Sequence, residues 1–149
     1  MKKNIFFALL LTLVSSGAFA MCGPGTPEKI KESFHHKFPQ IENPEFFNLG
    51  KGYEVYFQKD HKVFERVYLD VDGEITETIK YYTEEGLDPL VRQKINKTYK
   101  GKAIFGITEI QSNTEHFYRM VLQDNKHWYI ITSDATGRSV MEEKLDKSS

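Results

Sequence analysis

Two stretches of the chain place an apolar residue at every fourth position: Ile30, Phe34 and Phe38 in TPEKIKESFHHKFP, and Val91, Ile95 and Tyr99 in LDPLVRQKINKTYKG. Side chains four apart lie on one side of an α-helix, so each stretch predicts a short amphipathic helix. Each opens on a start signal, Thr26 then Pro27 in the first and Asp88 then Pro89 in the second. Pro39 closes the first helix and Gly101 the second. The runs that follow have a strand character. PEFFNL, YEVYFQ, KVFERVYLD and EITETIKYY come after the first helix, and AIFGITEIQ, HFYRMVLQ, HWYIITSD and RSVMEEKL after the second. β-Branched and aromatic residues dominate most of them, with Gly, Asn and Asp between, as hairpins require.

The two halves superpose along the sequence. Tyr53 meets Phe117, Phe64 meets Trp128, Asp70 meets Asp134 and Gly73 meets Gly137, all at a spacing of 64, whereas the helices match at 61. Three extra residues near QSNT, before the second strand of the second copy, reconcile the spacings. The prediction is an α+β domain of two tandem α-β-β-β-β units, residues 26–86 and 87–145. Such units bury their apolar surfaces by sharing one antiparallel sheet of eight strands with both helices on one face, which leaves the other face open.

Several pieces in this order resemble the PepSY-like proteins, secreted bacterial domains related in fold to the β-lactamase inhibitor protein. They are Phe38-Pro39, the turn from Asp70 to Gly73, Leu87 to Pro89 opening the second helix, Tyr99-x-Gly101 ending it, and the turn at Gly137. The chain departs from the pattern by having Asp88 between Leu87 and Pro89. The resemblance implies the fold described above and a non-catalytic role, and it brings no catalytic residues with it.

Compartment follows from the N-terminus. Lys2 and Lys3 precede an apolar run from Ile5 to Val14, and Ala18-Phe19-Ala20 supplies the small residues of a signal-peptidase site. Residues 1–20 are therefore expected to be a secretory leader, cut after Ala20, with residues 21–149 periplasmic or secreted. Met21 disfavours lipidation at Cys22, because a lipoprotein signal places a small residue before its cysteine. No later run approaches the roughly 20 apolar residues of a spanning helix. Without Lys2 and Lys3, 18 basic residues face 21 acidic ones, so no basic field for nucleic acid exists. A single cysteine forms no internal disulfide, and the fold must rely on packing.

Candidate chemistry is sparse. His35 and His36 are adjacent on a helix and point about 100° apart, which suits no shared metal. His61, His116 and His127 are scattered over turns and strand ends, and no Ser lies in a nucleophile elbow. An enzyme is not expected, and no cofactor is implied. YLDVDGEIT offers Asp70 and Asp72 as weak metal candidates, but aligning Gly73 with position 6 of a calcium loop puts Tyr68 and Ile79 where oxygen ligands belong. ITSDATGRS keeps only Asp134 and Gly137, so Asp70, Gly73, Asp134 and Gly137 read as turn formers.

What remains is surface. Strand alternation puts Phe64, Arg66 and Tyr68 on one face and Val63, Val67 and Leu69 on the other, with Tyr56 joining the first set and Val55 and Phe57 the second. The open face is therefore expected to carry Tyr56, Phe64, Arg66, Tyr68 and, by the repeat, Trp128, the residue types that protein-binding hot spots favour. The expected function is a periplasmic binding module, and the PepSY-like resemblance implies inhibition or regulation of an envelope enzyme such as a peptidase. The alternative is a small-ligand or calcium-responsive sensor.

Overall fold

In the computed structural model of the chain, which describes residues 25–148, both predicted helices form with equal length: α1 spans Glu28–Lys37 and α2 spans Pro89–Thr98. The expected leader, its expected cut after Ala20, and Cys22 lie outside the described residues. Asp88 caps α2, its Oδ1 accepting from the amides of Leu90 at 2.9 Å and Val91 at 3.1 Å. α1 starts differently. Pro27, not Thr26, holds the cap position, and no side chain caps the helix. Phe38 and Tyr99 end the two helices alike, each amide donating to the carbonyl four residues back at 2.8 Å.

Eight strands follow the helices: β1 (Glu45–Asn48), β2 (Tyr53–Asp60), β3 (Val63–Leu69) and β4 (Ile75–Tyr82), then β5 (Ala103–Ser112), β6 (His116–Gln123), β7 (His127–Asp134) and β8 (Ser139–Asp146) after α2. They form one sheet in chain order, each strand antiparallel to the next. The register aligns Phe57, Glu65, Lys80, Glu109, Tyr118 and Ser133 as one cross-strand row on the helix side. Phe34 of α1 packs there with Val55, Phe57, Val67 and Leu69, and Val91 and Ile95 of α2 pack with Ile107, Met120, Leu122 and Ile131. Each helix thus builds its own core. The middle of the row is polar: Glu65 is 1% exposed with Lys59 Nζ 3.3 Å away, and Glu109 accepts from Tyr82 Oη at 2.7 Å and lies 2.8 Å from His116 Nε2.

The same turn fixes each helix to the sheet. Asp70 Oδ1 accepts from the amides of Asp72 and Glu74, both at 2.9 Å, and Asp134 Oδ1 from those of Thr136 at 2.8 Å and Arg138 at 3.0 Å. Gly73 and Gly137 take φ of +87° and +82°, the left-handed region in which a Cβ is strained. Both also lie directly under a helix. A Cβ on Gly73 would come within 2.9 Å of Ser33 Cβ, and one on Gly137 within 2.9 Å of Lys94 Cδ. Ser33 donates to the Gly73 carbonyl at 2.6 Å and Lys94 to the Thr136 carbonyl at 2.7 Å.

The register changes the sequence superposition in one strand. Through α1 and β1 the spacing is 61, since Phe46 pairs with Val55 as Ile107 pairs with Met120. In β2 it is 65: Val55 sits opposite Val67 as Met120 sits opposite Ile131. Tyr53 therefore corresponds to Tyr118, and Phe117 points to the opposite face. A bulge at Lys59 returns the spacing to 64, which holds from Asp60 and Asp124 through Phe64 and Trp128 to Gly73 and Gly137. The net three residues are four added at the β5–β6 hairpin and one lost at the bulge. Because side chains alternate, a slip of one residue inverts every face assignment in the strand.

Gly137→Ala should lower stability by about 1–2 kcal/mol from its φ alone, measured by urea denaturation. Gly106→Ala, whose Cβ meets nothing within 4 Å, should leave stability unchanged or raise it. Equal losses at the two positions would contradict the turn analysis.

Candidate functional site

The side of the sheet away from the helices is covered by no described element, and the register decides its contents. Glu54, Tyr56 and Gln58 of β2 lie beside Tyr68, Arg66 and Phe64 of β3, and these beside Glu77, Ile79 and Tyr81 of β4. Four of the five expected contact residues, Tyr56, Phe64, Arg66 and Tyr68, are therefore neighbours. The fifth is not. Trp128 shares their face but stands on β7, four strands and roughly 19 Å away at ordinary strand spacing.

Around Arg66 the face is highly ordered. Its guanidinium carbon lies 5.7 Å from the Tyr56 ring centre and 5.9 Å from that of Tyr81, so it is held between two aromatic faces. Arg66 Nη1 is 3.5 Å from Glu54 Oε1. Phe64, 37% exposed, stacks on Tyr56 with ring centres 6.1 Å apart and planes 5° from parallel. Burial pushes the Tyr68 hydroxyl above the ordinary tyrosine range, and Glu54 adds to that shift. Arg66 is held above its ordinary value, first by a hydrogen bond with Tyr68. Its Nε is buried and has no hydrogen-bond partner among the described residues.

A second aromatic group occupies the other end. Phe105, 59% exposed, meets the Trp128 ring edge-on at 4.9 Å, and Lys147 Nζ lies 4.3 Å from the centre of the indole. Between the groups is a hollow of about 440 Å³ bounded by Tyr81, Gly106, Thr108, Arg119, Val121 and Ile130. Glu142, the bulged residue of β8, bonds Thr132 and lies 3.6 Å from Arg119 Nε. Sequence reasoning did not identify Tyr81 or Phe105. Tyr81 carries a readable signal, since it lies opposite Phe64 once the β3–β4 turn is placed. Phe105 carries none, because its exposure depends on the irregularity between Ile104 and Gly106.

The polar candidates serve the scaffold. Asp70 accepts two backbone amides through Oδ1, and Asp72 lies 3.2 Å from Lys29 Nζ. His127 sits between Asp124 and Asp146 at 3.3 Å from each. Among the described residues no three His, Cys, Asp or Glu side chains are grouped to hold a metal. Asp60 and Asp124, which cap equivalent hairpins by accepting two amides each, went unrecognised in the sequence although they are spaced by 64.

The fold matches known structures. A DUF2874 family protein from Bacteroides ovatus superposes with a TM-score of 0.61 at 16% identity, covering 83% of this chain and 89% of the other. A second DUF2874 protein, from Bacteroides uniformis, gives 0.60 at 13% identity over 81% and 89%. A BLIP-like protein from Bacteroides fragilis gives 0.63 at 12% identity over 84% and 89%. No family model and no curated protein matches the chain. The chain therefore has the fold of these proteins, a single antiparallel sheet with two helices on one side.

Two measurements test the scaffold role of the aspartates. Asp70 is held below its ordinary value of 3.8, first by the Glu74 amide, and Asp134 likewise, first by the Thr136 hydroxyl. Their stabilising effect is present above 3.8 and lost as pH falls through the lower folded-state values. An Asp70→Asn, Asp134→Asn variant should melt several degrees below the parent at neutral pH, with the gap closing as pH falls below 3.8. A gap of constant size would contradict the assignment. Thermal melts with calcium and with chelator should coincide, and a calcium-dependent rise of more than about 2 °C would restore the sensor reading.

Proposed function

We propose that the chain is a non-catalytic binding module of the bacterial cell envelope that docks another envelope protein on the open face of its sheet and so inhibits or regulates an enzyme, with a peptidase as the leading class. The observation that carries this reading is the arginine clamped between Tyr56 and Tyr81 beside the Tyr56–Phe64 stack. Tyr, Trp and Arg dominate the energetics of protein interfaces, and a guanidinium already fixed by two rings loses little side-chain entropy when a carboxylate or carbonyl meets it. The leader-like N-terminus supports an envelope location. The shared fold with a BLIP-like protein supports the binding role. No described helix is long and apolar enough to cross a membrane.

The test places a photo-crosslinking amino acid at Thr108, which borders the open-face hollow, or on the helix side at Glu32, in the native envelope. Adducts should form from Thr108 and not from Glu32. Arg66→Ala and Trp128→Ala should each reduce capture of the crosslinked partner by about tenfold or more while melting within a few degrees of the parent. Capture unaffected by both substitutions would overturn the reading.

A further inference from the structure

We infer a second binding site at the β1 edge of the sheet, one that takes a short extended peptide segment carrying positive charge and pairs it with the lower half of β2. The observation is a missing piece of strand. β5 runs from Ala103, pairing with Gln123 and Leu122 before its irregularity, but its counterpart β1 begins only at Glu45 and reaches no further along β2 than Tyr56. At the spacing of 61, Ala103, Ile104 and Phe105 correspond to Glu42, Asn43 and Pro44. Pro44 has no amide hydrogen, so it cannot continue the ladder, and the chain turns away.

Phe57, Gln58, Lys59 and Asp60 consequently have no strand partner on their β1 side, whereas β3 pairs their other side. Beside this uncovered edge is a hollow of about 480 Å³, roofed by Gln40, Ile41, Glu42 and Asn43 and bordered by Phe64. A free ladder edge bounded by side-chain pockets is the geometry by which sheets capture extended peptides: the backbone provides hydrogen bonds, and alternate side chains provide selection. Selection here is for positive charge. Glu42 and Glu45 both border the hollow, and its one lysine, Lys59, is directed to Glu65 at 3.3 Å. The exposed Phe64 ring and its Tyr56 partner offer an apolar wall for the stem of a lysine or arginine. The other sheet edge lacks these features. β8 is exposed along its length, but its bulge at Glu142 interrupts the ladder, a device that discourages pairing.

This site goes beyond the open-face reading: it shares Tyr56, Gln58 and Phe64 with that face, but its capture device is the unpaired backbone of residues 57–60, and neither Arg66 nor Trp128 borders the notch. The test is a two-dimensional amide NMR titration of residues 21–149 with a blocked hexapeptide of alternating valine and lysine. Expected are saturable shifts confined to residues 40–45, 56–60 and Phe64, with slowed hydrogen exchange in residues 57–60. The same peptide N-methylated on alternate residues should not bind. The valine–glutamate peptide should not bind either. Glu42→Gln combined with Glu45→Gln should weaken binding by about tenfold, with a matching loss at raised ionic strength. Absence of shifts, equal binding of the glutamate peptide, or shifts mapping to β8 or to the face around Trp128 would overturn the site.

Discussion

The whole surface chemistry of this protein depends on one packing constraint: two ten-residue helices must be seated on one side of an eight-stranded sheet. Each helix is fixed by a hydrogen bond onto a turn, Ser33 to Gly73 and Lys94 to Thr136, and the glycine of each turn has a positive φ. With the helices seated, strand alternation leaves no freedom. Val55, Phe57, Val67, Leu69, Met120 and Ile131 go under them, and Tyr56, Phe64, Arg66 and Trp128 go to the other side. The aromatic face is thus a consequence of core formation, and its exposed area is stabilised by contacts among its own residues.

Duplication explains why the scaffold is regular, and its irregularities explain where the surface is distinctive. The bulge at Lys59 brings that side chain to Glu65, and the interruption after Ile104 puts Phe105 against Trp128. Pro44 ends β1 early and opens the notch beside β2. Each departs from the repeat by one to three residues, and each creates a feature that the other half lacks. Where the copies agree, at Asp70 and Asp134 or Asp60 and Asp124, the residues hold turns.

Most of the architecture was legible in the sequence because it depends on short-range periodicity. Four-residue spacing exposed both helices, and Asp-x-x-Gly turns at a fixed interval exposed the repeat. The placement of Tyr56, Phe64, Arg66 and Tyr68 on one face followed from alternation alone, within two adjacent strands. What was hidden depends on bulges, which change parity without a marker in the residues. The equation of Tyr53 with Phe117 was wrong by one residue for that reason, and Phe105 was overlooked. Alternation puts Glu65 with Val63, Val67 and Leu69 on the helix side, but nothing in the residues marks the bulge at Lys59 that brings a lysine to it. Trp128 lies on the expected face, but the repeat alone does not say how far apart two residues on one face stand, and three strands separate β7 from β3.

The central claim is that the open sheet face is occupied by a protein in the cell envelope. Oxidative footprinting in intact envelopes, compared with the purified chain, tests it most directly, because Tyr56, Tyr81, Phe105 and Trp128 report on that face and Leu90 on the helix side. The account predicts protection of the four aromatics in the envelope with Leu90 labelled equally in both settings. Equal labelling of the aromatics in the two settings, or protection confined to Leu90, would contradict it.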